Sequence, residues 1–153
     1  MDIIPVRNED DLRAARDIRT RVFVEEQDCD PDEEWDGHDE TSRHVLGIVE
    51  DTPVATARWR AVPHGEHVVA KLERFAVLPG HRGEGYGTQL VEAVLGDARH
   101  AGFETFLIHS QARLEGWYEQ FGFESTRRCF EEAGIPHVEM IKRDRAADSG
   151  FES

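Results

Sequence analysis

The chain has 153 residues, of which 39% are hydrophobic and 33% are charged, and 32 acidic against 18 basic side chains give a formal net charge of −14. This balance is typical of one soluble globular domain and excludes a disordered or fibrous chain. The sequence contains neither an apolar run of about 18 residues nor a basic-then-apolar N-terminus, which predicts no membrane span, no signal peptide and a cytoplasmic protein. The anionic surface also argues against nucleic acid and membrane partners.

Lysine is nearly absent from the basic residues. It occurs only at Lys71 and Lys142, so 16 of the 18 cations are arginine. An acidic, lysine-poor surface suits a chain that stays hydrated in molar salt, where self-repulsion is screened within about 3 Å. We therefore predict a halophile's protein, with an acidic mesophilic protein as the alternative.

The cysteine, histidine and acidic residues do not occur at a spacing that predicts a metal site. Cys29 and Cys129 are too few for a disulfide framework or a zinc centre, so we expect free thiols. The segment from Asp32 to Gly37 resembles the first half of a calcium loop, but Arg43 stands where a bidentate glutamate is required. We predict no metal.

The first half of the chain is predicted to be rich in strands. A short strand is predicted at Ile3 to Val6, and a helix capped by Asn8 follows it. The apolar positions of this helix recur at helical spacing as far as Phe23. An acidic loop follows over 25–40. Three strands without intervening helices then predict an antiparallel meander: His44 to Val49, Val54 to Ala61 and Val68 to Leu78.

The second half alternates helices and strands. Apolar residues from Leu90 to Ala98 form the stripe of an amphipathic helix, which Gly102 ends. The remaining predicted elements are a strand at Phe103 to His109, a helix at Leu114 to Phe121, and strands at Phe123 to Phe130 and Val138 to Lys142.

Residues 72–87 combine a strand, a glycine-rich turn and the start of a helix. Glycines permit positive φ and leave backbone N–H groups uncovered, and a helix N-terminus adds about half a positive charge, so this turn predicts a site for a phosphate or pyrophosphate. The P-loop pattern is excluded because the turn has no lysine, and the dinucleotide fingerprint is excluded by the glycine spacing. An ordinary strand-to-helix turn is the alternative.

The pattern Arg82-x-x-Gly85-x-Gly87, after a strand ending Ala-Val-Leu-Pro, resembles the GNAT superfamily of acetyl-CoA-dependent N-acetyltransferases. The segment from Trp117 to Phe123 is similar to the aromatic-Tyr-x-x-x-Gly-Phe segment of that superfamily. The resemblance spans Arg19 to Lys142 and departs from the common pattern at Gln111 and Leu114. Four further segments resemble the small ElaA-like or YjcF-like branch: 22–27, 34–39, 109–111 and 130–137.

The resemblance implies a mixed α/β fold of the α+β type, with a largely antiparallel GNAT-like sheet of six to seven strands, splayed at its centre and flanked by helices. One domain would cover 1–143, and 144–153 would be a flexible tail. The implied cosubstrate is acetyl-CoA, its pyrophosphate held by backbone amides and by the Arg82 guanidinium. The resemblance also implies that the bulged strand Glu73 to Val77 binds pantetheine through its main chain. The implied cofactor-binding residues are Phe75, Ala76, Val77, Arg82, Gly83, Glu84, Gly85, Tyr86, Gly87, Thr88, Gln111 and Tyr118.

Acetyl transfer to an amine needs a base to deprotonate the ammonium and an acid for the departing thiolate. Tyr118 is the predicted acid, with a packed aromatic as the alternative. Glu73 is the first candidate for the base, unless it pairs with Lys71 or Arg74, and His109 is the second. The resemblance to the ElaA-like branch adds Glu26, Asp36 and His137 as further candidates.

The acidic segment 25–40 either recruits a cationic amine or is hydrated surface. The candidate substrate residues are Glu26, Trp35, Asp36 and His137. The prediction is thus an N-acetyltransferase that acts by direct transfer on a small-molecule or peptide amine, as a homodimer by analogy with relatives. A non-catalytic acyl-CoA-binding sensor or assembly module is the alternative.

Overall fold

A computed structural model describes residues 1–30 and 34–144. The predicted tail covers 144–153, and all of it after Asp144 therefore lies outside the described residues. The strands are β1 (Asp2–Pro5), β2 (Arg43–Val49), β3 (Thr52–His64), β4 (His67–Val77), β5 (Thr105–Gln111), β6 (Glu124–Glu132) and β7 (Ile135–Arg143). The α-helices are α1 (Glu9–Arg19), α2 (Tyr86–His100) and α3 (Glu115–Glu119).

The described strands form one seven-stranded sheet in the order β1-β2-β3-β4-β5-β7-β6. Pairing is antiparallel between β1 and β2, β2 and β3, β5 and β7, and β6 and β7. Strands β4 and β5 pair in parallel, with Ala70 opposite Phe106 and Lys71 opposite Leu107. The predicted mixed, largely antiparallel sheet with flanking helices is confirmed.

Helix α1 begins where its cap predicts. The Asn8 side chain accepts a hydrogen bond from the Asp11 N–H at 2.8 Å, which satisfies one of the unpaired donors of the first turn. Beyond Arg19 the chain continues to Glu26 as a π-helix rather than as the predicted α-helix. π-Helical turns are rare in proteins, and those that occur often lie at functional sites.

Strand β3 is longer than predicted and continues through Pro63 to His64. Proline lacks an N–H, so the sequence suggested a turn there. The register of β3 with β2 ends at Trp59 opposite Arg43, and Pro63 therefore lies beyond the stretch where β2 needs a donor from β3.

The chain divides into two compact units. The first comprises 1–60 and 72–97, and the second comprises 61–71 and the chain from residue 98. A buried cluster of the first unit contains Ala15, Ile18, Val22, Leu46 and Ala76. A buried cluster of the second unit contains Val62, Val69, Leu107 and Ile141. That 1–143 forms one domain stays a prediction.

Candidate functional site

The glycine-rich turn of the first unit is an exposed loop between β4 and α2. Gly83 and Gly85 have φ values of +84° and +80°, which a side chain would strain. The Gln89 N–H donates to the Gly85 carbonyl at 3.2 Å and begins the hydrogen-bonding pattern of α2. The N–H groups of the first turn, at 86–88, therefore have no acceptor within the helix and can bind an anion.

Arg82 is held at this loop by two partners. Its two terminal nitrogens donate to both carboxylate oxygens of Glu26 at 2.5 and 2.6 Å, and its Nε donates to the Val77 carbonyl at 2.9 Å. About two fifths of each charged side chain is exposed. The hydrogen bond from Arg82 lowers the pKa of Glu26. The structure thus brings together a predicted cofactor residue and a predicted substrate residue.

A second group of charges in this unit is buried, and its centre is Arg58, which is fully inaccessible to solvent. Its guanidinium donates to Asp36 at 2.6 Å, to Asp39 at 2.8 Å and, through Nε, to Glu73 at 2.7 Å. We call this the Arg58 network, which also contains Arg19, Glu34, Arg60 and Arg74.

Glu73, the first candidate for the base, is a buried member of the Arg58 network. Besides Arg58, the Nε of Arg60 contacts its carboxylate at 3.1 Å. Two guanidinium groups on one carboxylate stabilise its ionised form and offset the cost of burying the charge. These contacts occupy the same carboxylate that the predicted mechanism would use to accept a proton.

Arg74 has a left-handed backbone conformation, with φ of +60°, within β4, the strand predicted to bind pantetheine. A left-handed conformation costs an L-residue about 1–2 kcal/mol and needs support. Arg74 receives it from Glu34 and Asp36, each 3.1 Å from its guanidinium. Of the residues that follow, Ala76 packs its methyl group into the core, so only its main chain is available to a ligand.

The acidic segment faces inward at two positions. Arg19 donates to Glu34 at 2.5 Å and to Asp39 at 2.6 Å, and all three side chains are buried. The hydrated-surface alternative is therefore wrong for Glu34 and Asp39. Trp35 is partly exposed, with the Arg19 guanidinium 4.9 Å from its ring centroid, and Asp36 is bound by Arg58.

The pKa values of the carboxyl groups in the Arg58 network are shifted in opposite directions by their surroundings. Desolvation by itself would raise the pKa of Asp39. Contacts with Arg19 and other cations outweigh it and lower this pKa to about 2. Against desolvation, the hydrogen bond from Arg58 likewise holds the pKa of Asp36 well below its usual range. For Glu34 desolvation outweighs the neighbouring arginines and raises the pKa.

In the second unit, Tyr118 lies on α3 with 8% of its surface exposed. Trp117 and Phe123 pack edge-to-face on its ring, with centroids 4.9 and 6.2 Å away. Burial raises the pKa of Tyr118 to about 12. Gln111 ends β5, and its backbone carbonyl accepts a hydrogen bond from the Ser110 hydroxyl at 2.8 Å.

The second unit also brings His109 and His137 to one carboxylate. Oε2 of Glu132 lies 3.9 Å from Nδ1 of His109 and 3.7 Å from Nε2 of His137. Phe130 packs against both imidazoles. Sequence reasoning missed Glu132, although alternation along β6 puts it on the same face as Phe130, which pairs with His137 in the register.

Over the described part of the chain, no helix is long and apolar enough to cross a membrane. Residues 1–30 and 34–144 also contain no group of three or more His, Cys, Asp or Glu side chains arranged to hold a metal ion.

A family model for the acetyltransferase (GNAT) family matches residues 12–123, which include the glycine loop and Tyr118. The chain belongs to the GNAT family. Its relatives include ElaA of Escherichia coli, 37% identical over 135 residues that cover 86% of each chain. YjcF of Bacillus subtilis, an uncharacterized N-acetyltransferase, is 32% identical over 93% of this chain and 99% of its own. The predicted ElaA-like and YjcF-like resemblance is thus supported by homologues.

Solved structures show the same GNAT fold. An acyl-CoA N-acyltransferase from Pseudomonas aeruginosa superposes with a TM-score of 0.82 at 27% identity, covering 93% of this chain and 99% of that one. An aminoglycoside 6′-N-acetyltransferase complexed with coenzyme A has a TM-score of 0.72 at 15% identity, covering 94% and 97% of the two chains. At that identity the second likeness concerns the fold alone.

Proposed function

We propose that this protein transfers the acetyl group of acetyl-CoA directly to a primary amine within a ternary complex. The observation that carries the proposal is the loop at 82–88, with two glycines at positive φ, unpaired helix N–H groups and an arginine at its edge. Membership of the GNAT family adds the expectation of acyl transfer from a CoA-type cosubstrate.

The proposed cofactor residues fit an extended anionic cosubstrate. The Arg82 guanidinium and the backbone N–H groups of Gly83 to Thr88 bind the pyrophosphate, since residues 82–85 are exposed and residues 86–88 form the first turn of α2. The main chain of Phe75 to Val77 pairs with pantetheine, and the left-handed Arg74 precedes this stretch. The resemblance to the GNAT superfamily adds Gln111 and Tyr118 as proposed cofactor residues.

Tyr118 is the proposed acid for the departing CoA thiolate. Its raised pKa of about 12 keeps the phenol protonated at neutral pH. Proton donation is then coupled to C–S bond cleavage, because the free phenol is a much weaker acid than a thiol with a pKa of about 8.5. The buried aromatic surroundings keep water away from this proton.

The amine and its base are proposed from the remaining candidates. Glu26, Trp35, Asp36 and His137 are the proposed substrate contacts, and Glu73 and His109 are the first two candidates for the base. The guanidinium groups of Arg58 and Arg60 occupy the Glu73 carboxylate, which leaves fewer of its lone pairs to accept a proton from the amine.

The pairing of Glu73 also favours a second function. If no other residue accepts the amine proton, the domain binds acyl-CoA without turnover and acts as a sensor or assembly module. Both functions need the loop at 82–88, whereas only the enzyme needs Tyr118 and a base.

The test measures free thiol release from acetyl-CoA with a panel of small amines and basic peptides in molar KCl, with calorimetric acetyl-CoA binding alongside. Amine-dependent release supports the enzyme, and binding without release supports the sensor. Arg82→Ala is expected to weaken acetyl-CoA binding, whereas Arg13→Ala makes the same charge change on an exposed face of α1 and serves as the matched control. No binding by folded wild-type protein would refute the proposed cofactor site.

A further inference from the structure

The cluster of His109, Glu132 and His137 leaves hydrogen-bonding capacity unused. Glu132 is about half exposed, whereas the two imidazoles are largely covered. Nδ1 of His109 is buried and has no hydrogen-bond partner among the described residues. Buried polar atoms are nearly always satisfied in folded proteins, so an unsatisfied one needs an explanation.

The orientation of His137 determines which of its nitrogens can accept a proton. Its Nδ1 lies 2.7 Å from the Ile135 carbonyl oxygen. A carbonyl oxygen only accepts hydrogen bonds, so Nδ1 carries the hydrogen. In the neutral ring the lone pair is therefore on Nε2, the atom that faces Glu132.

The spacing of these atoms suits a donor placed between them. Nε2 of His137 and Nδ1 of His109 lie 3.7 and 3.9 Å from Oε2 of Glu132, too far for direct hydrogen bonds. A single nitrogen with several N–H groups can reach Glu132 and an imidazole at about 2.8–3.0 Å each. A primary ammonium group has three such hydrogens and a positive charge that complements the carboxylate.

The surrounding charges keep Glu132 ionised. The His109 imidazole, and then the charges of Lys71 and His137, lower the pKa of Glu132 against desolvation. Lys71 acts on Glu132 from β4. Arg128 of β6 donates to Glu139 instead, with its guanidinium 5.2 Å from the Phe130 ring centroid. Phe130 in turn stacks on His137 at 5.8 Å and restricts the movement of that ring.

We propose that His109, Glu132 and His137 form the binding site for the primary ammonium group of the acceptor, with the Glu132 carboxylate as its charge partner and Nε2 of His137 as its proton acceptor. This inference rests on the proposed function for its catalytic part, whereas ammonium binding at the cluster stands by itself.

The proton balance follows from these roles. The ammonium gives one proton to Nε2 of His137, and the neutral amine forms the C–N bond with the thioester carbonyl carbon. As the C–S bond breaks, Tyr118 donates its proton to the thiolate, and the amine nitrogen gives its second proton back to the Tyr118 oxygen. One proton is released overall, from the His137 imidazolium to solvent.

The binding test is independent of turnover. Imidazole NMR signals of the full-length protein, assigned with His137→Gln, are followed during titration with n-butylammonium chloride. Tetramethylammonium chloride has the charge without N–H donors and serves as the control ligand. We expect the His137 and His109 signals to shift with butylammonium only, and the shift to be lost in Glu132→Gln. Equal responses to both cations, or an unchanged response in Glu132→Gln, would overturn the binding site.

The kinetic test uses an amine that the wild-type protein acetylates. Glu132→Gln is expected to raise the KM for the amine at least tenfold with acetyl-CoA binding unchanged, and Glu131→Gln on the same strand is the matched control. His137→Ala is expected to lower kcat about 100-fold or more, with partial recovery on adding imidazole, which a merely structural role would not give. Wild-type kinetics in both variants would overturn the catalytic part. Butylammonium binding in a wild-type protein that releases no thiol would support the ammonium site and refute the proposed function.

Discussion

Arg82 and Glu26 form a bidentate ion pair, with N–O distances of 2.5 and 2.6 Å, between the loop at 82–88 and the end of the π-helix. A carboxylate in this position satisfies the same guanidinium donors that a phosphate group would. Because both side chains are substantially exposed, we assign the pair a free energy of about 1 kcal/mol or less. Glu26 is therefore a weak competitor for the proposed pyrophosphate position.

Glu26→Gln is expected to strengthen acetyl-CoA binding up to about fivefold, because the guanidinium no longer has an anionic partner and an electrostatic repulsion is removed. Calorimetric titration measures the change. Glu25→Gln removes an equal charge from the neighbouring exposed residue and is the control. Weaker binding of the amine without any change for acetyl-CoA would instead support Glu26 as a substrate contact.

Tyr118→Phe is expected to lower kcat about 100-fold while leaving the melting temperature close to wild type. The change removes the hydroxyl and keeps the aromatic ring that packs against Trp117 and Phe123. Trp117→Phe alters the packing and keeps the hydroxyl, so it separates the two roles. If Tyr118→Phe turns over normally, the packed-aromatic alternative is correct.

Glu73→Gln is expected to affect stability more than turnover. Removing the carboxylate leaves Arg58 and Arg60 with less compensation in a buried setting, at a cost of about 3 kcal/mol. Urea unfolding measures this loss, and kcat of the folded variant should stay within about tenfold of wild type. Glu92→Gln on the exposed face of α2 is the charge-matched control. A much larger loss of kcat with stability retained would identify Glu73 as the base.

The free energy of unfolding is expected to decrease at acid pH because Asp39 becomes protonated. Its folded-state pKa of about 2 lies below the ordinary value of 3.8, so its ionised form stabilises the fold above about pH 4 by about 2 kcal/mol. This contribution is lost as the pH falls toward 2. The raised pKa of Glu34 acts in the opposite direction.

The free energy of unfolding of Asp39→Asn, compared with that of wild type, measures this contribution. The difference should be about 2 kcal/mol larger at pH 6 than at pH 2. Asp10→Asn changes an exposed carboxylate on α1 and should show almost no such difference. A difference for Asp39→Asn that is constant with pH would contradict the proposed ionic role.

Salt is expected to stabilise the protein if the halophile prediction is correct. With a formal net charge of −14, self-repulsion should be strong at low ionic strength and be screened by molar KCl. The two lysines are half-buried, so arginine supplies the exposed cations. We expect the melting temperature in 2 M KCl to exceed that in salt-free buffer by about 5 °C or more. Sucrose at equal osmolality is the control, and an unchanged melting temperature would contradict the prediction.

Local sequence signals predicted much of the fold. The Asn8 cap, the stripe of α2 and the glycines of the loop each act through neighbours within about five residues. The π-helix after Arg19 and the extension of β3 through Pro63 were missed, because helical periodicity does not distinguish α from π and because a proline in a strand depends on pairing with another strand.

The sequence by itself determined the family, and it predicted an anion site at the loop 82–88 and Tyr118 as a candidate acid. These follow from residue types at fixed spacing, which set the local backbone conformation. Only the tertiary structure decided that Glu26 pairs with Arg82, that Glu73 lies between Arg58 and Arg60, and that Glu132 lies between two histidines. Charges interact through space, and their partners depend on which distant segments the fold brings within a few ångströms.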